Sequence, residues 1–294
     1  MSAGDRVVLV VGATGQQGGA TAVQLLNRGW QVRAFTRSAA NAAARRLADM
    51  GAEVVEGDMG DRASLESAMC GVHGVFSVQP TFVSPELTPG MSHEVEVRWG
   101  KNVADAAKAA GVRHLVYASG FNADQASGVP TLENKWAVEQ HIREIGVPAT
   151  MLRPASFMEN YLGMLPGQSV ENGELVSALR ADVAQPLIAL ADIGTFAALA
   201  FENPDEHIGG ALQIAGDALT PPQIAAGLSR ATGRELRHVE MPLEPLREQN
   251  PVLYHAYKAL NALDLTAVDI PALREIHPGL LTFDSWLAKQ DFAG

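Results

Sequence analysis

The opening segment constrains the fold more than anything else in the chain. Val7-Val8-Leu9-Val10-Val11 is short, continuous and mostly β-branched, the pattern of a strand buried on both faces of a parallel sheet. It runs straight into Gly12-Ala13-Thr14-Gly15-Gln16-Gln17-Gly18-Gly19. Ala20, Val23 and Leu26 then recur at helical spacing as far as Arg28-Gly29. Gly12, Gly15 and Gly18 have the spacing G-x-x-G-x-x-G, a weak signal alone and a strong one between a first strand and its helix. One glycine permits a tight turn, another lets backbone approach a pyrophosphate, and a third lets helix and strand pack closely. Free N–H groups and the helix dipole attract the anion. Gly12, Thr14, Gly15, Gln16, Gln17 and Gly18 are the expected contacts to a dinucleotide.

The alternation continues. Strands are expected at Gln31 to Thr36, Glu53 to Glu56, Val75 to Val78, His114 to Ala118 and Ala149 to Leu152. Helices fall between them, including a long one from Glu94 to Ala110 with Val95, Trp99, Val103 and Ala106 on one face, and another from Leu132 to Ile145. Six strands alternating with helices predict an α/β fold: a doubly wound parallel Rossmann sheet with helices on both faces. After Arg153-Pro154 prolines and glycines become denser and the alternation fades between Pro166 and Pro186. Sheet-like pieces return at Leu187 to Leu190 and Ala211 to Ile214, around a helix from Asp192 to about Glu202. Helices near Pro222 to Thr232 and Leu246 to Leu260 follow. The expected organisation is a dinucleotide-binding domain over 1–155, to which 184–215 returns, and a smaller, partly interleaved C-terminal lobe over 156–294.

Composition narrows the function classes. The net charge of −11 argues against a nucleic-acid backbone as the main partner. Apolar residues make up 47%, which excludes a disordered chain. Cys70 is the single cysteine, so neither a disulfide scaffold nor a cysteine-rich zinc module is possible. The eight histidines show no metal-ligand spacing, and no metal is expected. No signal peptide or membrane span is visible, so the expected location is the cytoplasm, away from membranes. No G-x-S-x-G elbow accompanies a serine, which disfavours a hydrolase.

The end of the second strand bears on which dinucleotide binds. NAD selectivity usually places an acid there to hold the ribose 2′-hydroxyl. Here it reads Phe35-Thr36-Arg37-Ser38. Arg37 can pair with a 2′-phosphate, so NADP(H) is the expected cofactor and NAD(H) the alternative; the bland reading of Arg37 is a solvated surface charge. Asp58, with Met59 beside it, follows the third strand. It is either an adenine contact or a helix cap before Asp61. Gln79 and Pro80 end the fourth strand and are expected to line the nicotinamide site.

With those pieces placed, the chain resembles the NmrA-like group of atypical short-chain dehydrogenase/reductases. The resemblance is carried by the glycine loop, Thr36-Arg37, Gly57-Asp58, Gly111-Val112-Arg113-His114-Leu115-Val116-Tyr117-Ala118-Ser119, Glu133-Asn134-Lys135, Arg153-Pro154-Ala155-Ser156-Phe157-Met158-Glu159-Asn160, Asp192-Ile193-Gly194 and Leu219-Thr220. It spans nearly the whole chain. It implies a Rossmann fold, an NADP preference and a small C-terminal lobe. The group includes quinone and isoflavone-type reductases. It also includes cofactor-binding redox sensors that regulate transcription factors.

The wider superfamily uses a Ser, a Tyr and a Lys, with Tyr four residues before Lys. Ser119 and Lys135 stand where that Ser and Lys stand, but Thr131 occupies the Tyr position. An aliphatic hydroxyl is a far weaker acid than a phenol, and Thr131 reads most simply as a helix N-cap. Lys135 shares a helix face with Val138 and Ile142, and its amine can hold the nicotinamide ribose. The isoflavone-reductase resemblance further implies that it is the acid; a lysine snorkelling to water is the competing reading. Ser119 and Lys135 are the catalytic candidates. Phe157, Asn160 and Tyr161 are the substrate-side candidates, at the end of the sixth strand where open sheets bind ligands. Two functions fit: an NADPH-dependent reductase of a small apolar quinone, enone or carbonyl, or a non-catalytic sensor engaging a regulatory protein.

Overall fold

The computed structural model describes residues 6–82, 88–125, 128–163, 169–171, 173–262 and 268–292. Two compact units emerge. The first comprises 1–125, 131–153 and 193–212, the second 126–130, 154–192 and 213–294.

In chain order the first unit alternates strands and helices. It has β1 (Val7–Val11), α1 (Gln16–Asn27), β2 (Gln31–Thr36), α2 (Ala42–Asp49), β3 (Glu53–Glu56), α3 (Arg62–Ala68), β4 (Gly74–Ser77), α4 (His93–Ala109), β5 (His114–Ala118), α5 (Pro130–Ile145) and β6 (Ala149–Pro154). The remaining elements are β7 (Ser156–Phe157), α6 (Asn160–Gly163), β8 (Ser169–Glu171), β9 (Glu174–Ser177), β10 (Gln185–Ile188), α7 (Leu190–Glu202), α8 (Pro204–His207), β11 (Ala211–Ile214), β12 (Asp217–Leu219), α9 (Pro221–Thr232), β13 (Arg237–Glu240), α10 (Leu246–Gln249), α11 (Pro251–Leu260), α12 (Ile270–Ile276) and α13 (Phe283–Leu287).

The large sheet has seven strands in the order β11-β6-β5-β4-β1-β2-β3. Val8 stands opposite Val32 on β2 and Gly74 on β4, and these pairings are parallel. The order reverses between β1 and β4. That is the switch point where doubly wound sheets open a crevice at the strands' carboxyl ends. The strands are apolar because both faces are covered. Leu9, Phe35, Leu65, Val75, Val103, Leu115 and Ile142 pack in one buried cluster.

In the second unit β10 pairs with β7 and β12, and β9 with β8 and β13. Met158, Tyr161, Leu187, Ile224, Phe283 and Trp286 form one core cluster there. A second gathers Leu179, Leu246, Tyr254 and Tyr257. The helix expected over Leu246 to Leu260 is split at Asn250, whose side chain caps α11. Pro251 removes the N–H that would have continued α10.

Two expectations for the first unit need correction. Of Val95, Trp99, Val103 and Ala106 on α4, only Val103 and Ala106 are buried, together with Glu96, Gly100, Ala104 and Ala107, while Val95 and Trp99 are half-buried. Small residues let α4 lie close to the sheet, and a carboxylate goes in with them. Helix α5 begins at Pro130 rather than Leu132. Thr131 therefore sits inside the first turn and is not the N-cap, and Lys135 falls in the second turn.

At the amino-terminal edge of β5, His114 is fully buried and its Nε2 lies 2.8 Å from Thr150 Oγ1. Burial first, then the nearby His207 and His73, pushes it down from 6.5 to about 4. The folded protein thus holds His114 neutral where an unfolded chain would already be charged. Between pH 6.5 and about 4 the unfolded state binds the extra proton, so stability falls as pH falls through that window. We expect a loss of up to about 3 kcal/mol by its lower end. Urea midpoints measured from pH 7 to 4 should fall, and His114→Gln should flatten the slope. A midpoint independent of pH would refute the assignment.

Candidate functional site

The glycine loop places its three glycines for three different reasons. Gly12 has φ +80°, and a side chain there would begin 2.8 Å from Val78 O. Gly18 lies so close to the loop that a Cβ would stand 2.2 Å from Gly12 O. Gly15 is the N-cap of α1, with extended φ −90° and ψ 177°, and its Cβ would meet only Gly12 O at 3.3 Å. Its position is open to solvent, as is that of Gln16. No side chain caps α1 and no acid occupies its first turn. Gln17 adds a buried Oε1 with no hydrogen-bond partner among the described residues; Thr14 is half-buried. An uncapped helix N-terminus behind a glycine-rich loop is a seat for an anion.

Beside it, β2 ends at buried Thr36, and Arg37 is exposed with no ion pair to another described residue. Glu56, at the end of β3, accepts from Ala39 N, two residues past Arg37, at 2.6 Å. Asp58 is not the cap of α3. Its Oδ1 accepts from Gly60 N at 2.6 Å, and the cap of α3 is Asp61, which accepts from Ala63 N. Met59 packs half-buried on the core, and its carbonyl accepts from Asn102.

Two buried polar clusters flank the carboxyl ends of β4 and β5. In the first, Lys135 Nζ lies 2.8 Å from Glu96 Oε1, with side chains only 7% and 1% exposed. Glu96 Oε2 accepts from Asn134 Nδ2 at 3.0 Å and from the backbone of Phe82 at 3.2 Å. Asn134 also contacts His93 Nδ1 at 2.8 Å. Gln79 is buried, its Nε2 donating to Ser77 Oγ at 2.9 Å. Lys135 Nζ, the facing Glu96 Oε1 and Gln79 Oε1 have no aligned hydrogen bond among the described residues, so lysine and carboxylate meet as an ion pair. An open cleft of about 600 Å³ along α4 reaches His93 and Asn134, with Arg98 and Lys101 on its wall. Pro80 is exposed.

The second cluster surrounds Glu139 on α5. Ser119 Oγ donates to Glu139 Oε1 at 2.5 Å, and Arg153 grips both carboxylate oxygens at 2.9 and 2.7 Å. Arg143 Nη2 donates to Oε2, and Arg153 also pairs with Asp124 at 2.8 Å. Ser119 is therefore tied into a bidentate salt-bridge network. Between the clusters lies Tyr117, wholly buried, its hydroxyl unpartnered among the described residues. Burial, reinforced by the charges of Glu96 and Glu139, pushes that phenol well above 10. Tyr117 stays protonated and cannot replace the missing superfamily tyrosine as a proton donor near neutrality.

Phe157, Asn160 and Tyr161 belong to the second unit. Phe157 and Asn160 are half-buried. Tyr161 is a core side chain whose hydroxyl donates to Gln185 Oε1 at 2.9 Å and whose ring meets Phe283 edge-on. No group of three or more metal-type side chains occurs among the described residues. No described helix is long and apolar enough to cross a membrane.

Sequence reasoning missed Glu96 and Glu139. Glu96 was readable only indirectly, because a lysine expected on the sheet-facing side of its helix needs a carboxylate beside it, and Glu139 answers an arginine, Arg153, whose burial the sequence did not signal.

Strand order, switch point and glycine loop define a Rossmann protein of the dinucleotide-binding class. The chain belongs to the NmrA-like family, whose profile matches residues 4–274. It is 34% identical over 243 residues to the (4-alkanoyl-5-oxo-2,5-dihydrofuran-3-yl)methyl phosphate reductase of Streptomyces griseus, covering 82% of this chain and 79% of that one. It superposes with TM-score 0.76 and 25% identity on an NADPH-dependent quinone oxidoreductase from Escherichia coli, solved with NADPH, covering 96% and 98% of the two chains. It superposes with TM-score 0.77 and 22% identity on NmrA, a negative transcriptional regulator solved with NADP, covering 97% and 94%.

Proposed function

We propose that this protein is an NADPH-dependent reductase of a small apolar quinone, enone or carbonyl compound. The observation that carries the reading is Lys135. It is a buried ammonium at the carboxyl end of the sheet, paired on one side by Glu96 and with donors to spare. An ammonium has three N–H donors and no acceptor. A lysine placed this way is not a solvated surface charge, and burial costs too much for it to be decoration. Its Cγ lies 3.8 Å from where a side chain on Gly120, just past β5, would begin.

The loop fits a dinucleotide: a side chain at Gly12 or Gly18 would collide, and the N-terminus of α1 has no competing anion. Gly12, Thr14, Gly15, Gln16, Gln17 and Gly18 would hold the pyrophosphate, Arg37 the 2′-phosphate, and Asp58 and Met59 the adenine end. Gln79, Pro80 and Lys135 would line the nicotinamide end. Bound NADPH supplies the hydride. Lys135 then polarises the acceptor oxygen and delivers the proton that the reduced product needs. A quinone suits such a site, because its reduced oxygen is phenolic and demands only a mild acid. Ser119, held by Glu139, orients the network instead of giving up its own proton. Phe157 and Asn160, half-buried in the second unit, are its candidates for substrate contact, and Tyr161 is core there. The similarity to a quinone oxidoreductase and to a butenolide phosphate reductase supports the acceptor class.

The test is oxidation of NADPH by the purified protein against a panel of quinones, enones and aldehydes. Turnover of a panel member is expected. Tight cofactor binding with no turnover would favour the sensor reading, for which Thr131 in place of tyrosine and the likeness to a transcriptional regulator both speak.

Cofactor choice gives a second test. Arg37→Ala should weaken NADPH by about 1–3 kcal/mol, the weight of a charge-assisted contact, and leave NADH nearly unchanged. Calorimetry with both dinucleotides measures it. Equal affinity of the unaltered protein for both would remove Arg37 from the site.

A further inference from the structure

Glu96 sits on the buried face of α4, one turn before Gly100. A side chain at 100 would begin 2.6 Å from Val138 Cγ2 on α5, so glycine there is what lets the two helices close together. That approach brings Glu96 Oε1 to 2.8 Å from Lys135 Nζ. The carboxylate is itself held on its other oxygen by Asn134, the residue before the lysine, and by Phe82 N. Neither charge is solvated, so each is tolerable only because the other is there.

We propose that Glu96 is the positioning residue for Lys135: its carboxylate fixes where the ammonium stands and compensates its buried charge, while Asn134 and Phe82 N fix the carboxylate. This extends the reductase reading and rests on it for the catalytic consequence alone. The other groups facing the pair are His93 on α4, linked through Asn134, Tyr117 on β5, and Glu139, farther along α5. Tyr117 is neutral, and Glu139 is already gripped by Arg153 and Arg143. Glu96 is thus the carboxylate that can compensate Lys135. The arrangement also explains how a site without the superfamily tyrosine keeps a usable acid. A lysine buried alone there would leave its charge uncompensated, whereas the fixed carboxylate of Glu96 pairs it.

The test uses the full chain with 13C-labelled lysine. The protein has five lysines, so the Lys135 Cε resonance is assigned by its disappearance in Lys135→Arg. Its titration is followed in the unaltered protein, Glu96→Gln and Glu96→Asp. Glu96→Gln should lower the titration midpoint so that the charged-to-neutral ratio at fixed pH falls by at least about tenfold, with Glu96→Asp between the two. In quinone turnover, Glu96→Gln should lower kcat by at least about tenfold with KM for NADPH nearly unchanged, and its pH profile should lose activity at lower pH than that of the unaltered protein. Glu96→Asp should recover part of the rate. A Lys135 titration unmoved by Glu96→Gln would overturn the proposal. If Glu96→Gln does not fold, Glu96→Asp decides, and an unmoved midpoint there would overturn it equally. Absence of turnover in the unaltered protein would defeat the reductase reading but leave the titration to judge the pairing.

Discussion

Gly15→Val should abolish NADPH binding and leave the fold standing. The backbone at 15 is extended, at φ −90° and ψ 177°, which valine adopts without strain. Its Cβ would meet only Gly12 O, at 3.3 Å, a contact that a small shift relieves. The two γ-methyls would then stand in the open space before the N-terminus of α1, where a pyrophosphate must sit to reach the free N–H groups. Two lost charge-assisted hydrogen bonds amount to at least about a hundredfold in affinity. Gly18→Ala makes the opposite case. A Cβ 2.2 Å from a backbone oxygen cannot be accommodated, so that protein should lose about 1–3 kcal/mol of stability or more, from overpacking. Calorimetric titration with NADPH, beside thermal melting of both variants, separates the two roles. A Gly15→Val protein that binds NADPH normally would show that the loop is only a turn.

The difference between those glycines marks what was legible beforehand. Parallel strands buried on both faces are continuous apolar runs. Val7–Val11 and His114–Ala118, buried almost throughout, therefore fall where the sequence places them. The second unit offers one such run among its described residues, at Leu187 to Leu190, and its other strands are less marked. Glu174–Ser177 has every other residue only half-buried, and Arg237–Glu240 is exposed at both ends. Their pairing is set by tertiary neighbours and leaves little trace in local pattern. Helix α4 shows a subtler failure. Ranking by hydrophobicity turns Trp99 inward, yet the buried row runs Glu96, Gly100, Val103, Ala104 and Ala107. The reason lies on another helix: a buried lysine needs its carboxylate, and small residues around it let the helices meet. The candidate site was legible where backbone geometry dictates residue type, as at Gly12 and Gly18, and illegible where a charge answers a distant charge, as at Glu96 and Glu139.

Lys135 carries the largest expected effect on turnover, and Lys135→Arg is the variant that isolates it. Arginine keeps a positive charge beside Glu96, so the buried pair survives and the fold should melt near the unaltered protein. A guanidinium does not release its proton near neutrality, so an acid at this position would be lost while the charge remains. We expect kcat to fall about 10²–10⁴-fold, the usual contribution of general acid–base catalysis. Cofactor affinity should change little, because the loop and Arg37 are untouched. Lys135→Met should lose as much turnover and also about 3–5 kcal/mol of stability, because Glu96 is left buried without its partner. The comparison therefore separates a chemical role from a structural one, which the methionine variant alone cannot do. Thr131→Ala should leave kcat unchanged: the residue lies within the first turn of α5, four residues before Lys135, and its hydroxyl is too weak an acid to protonate product. Steady-state kinetics of the three variants, with NADPH affinity and melting measured separately, make the comparison. An arginine variant that turns over normally would show that Lys135 acts by charge alone. A folded Thr131→Ala protein without activity would move the proton to the threonine after all.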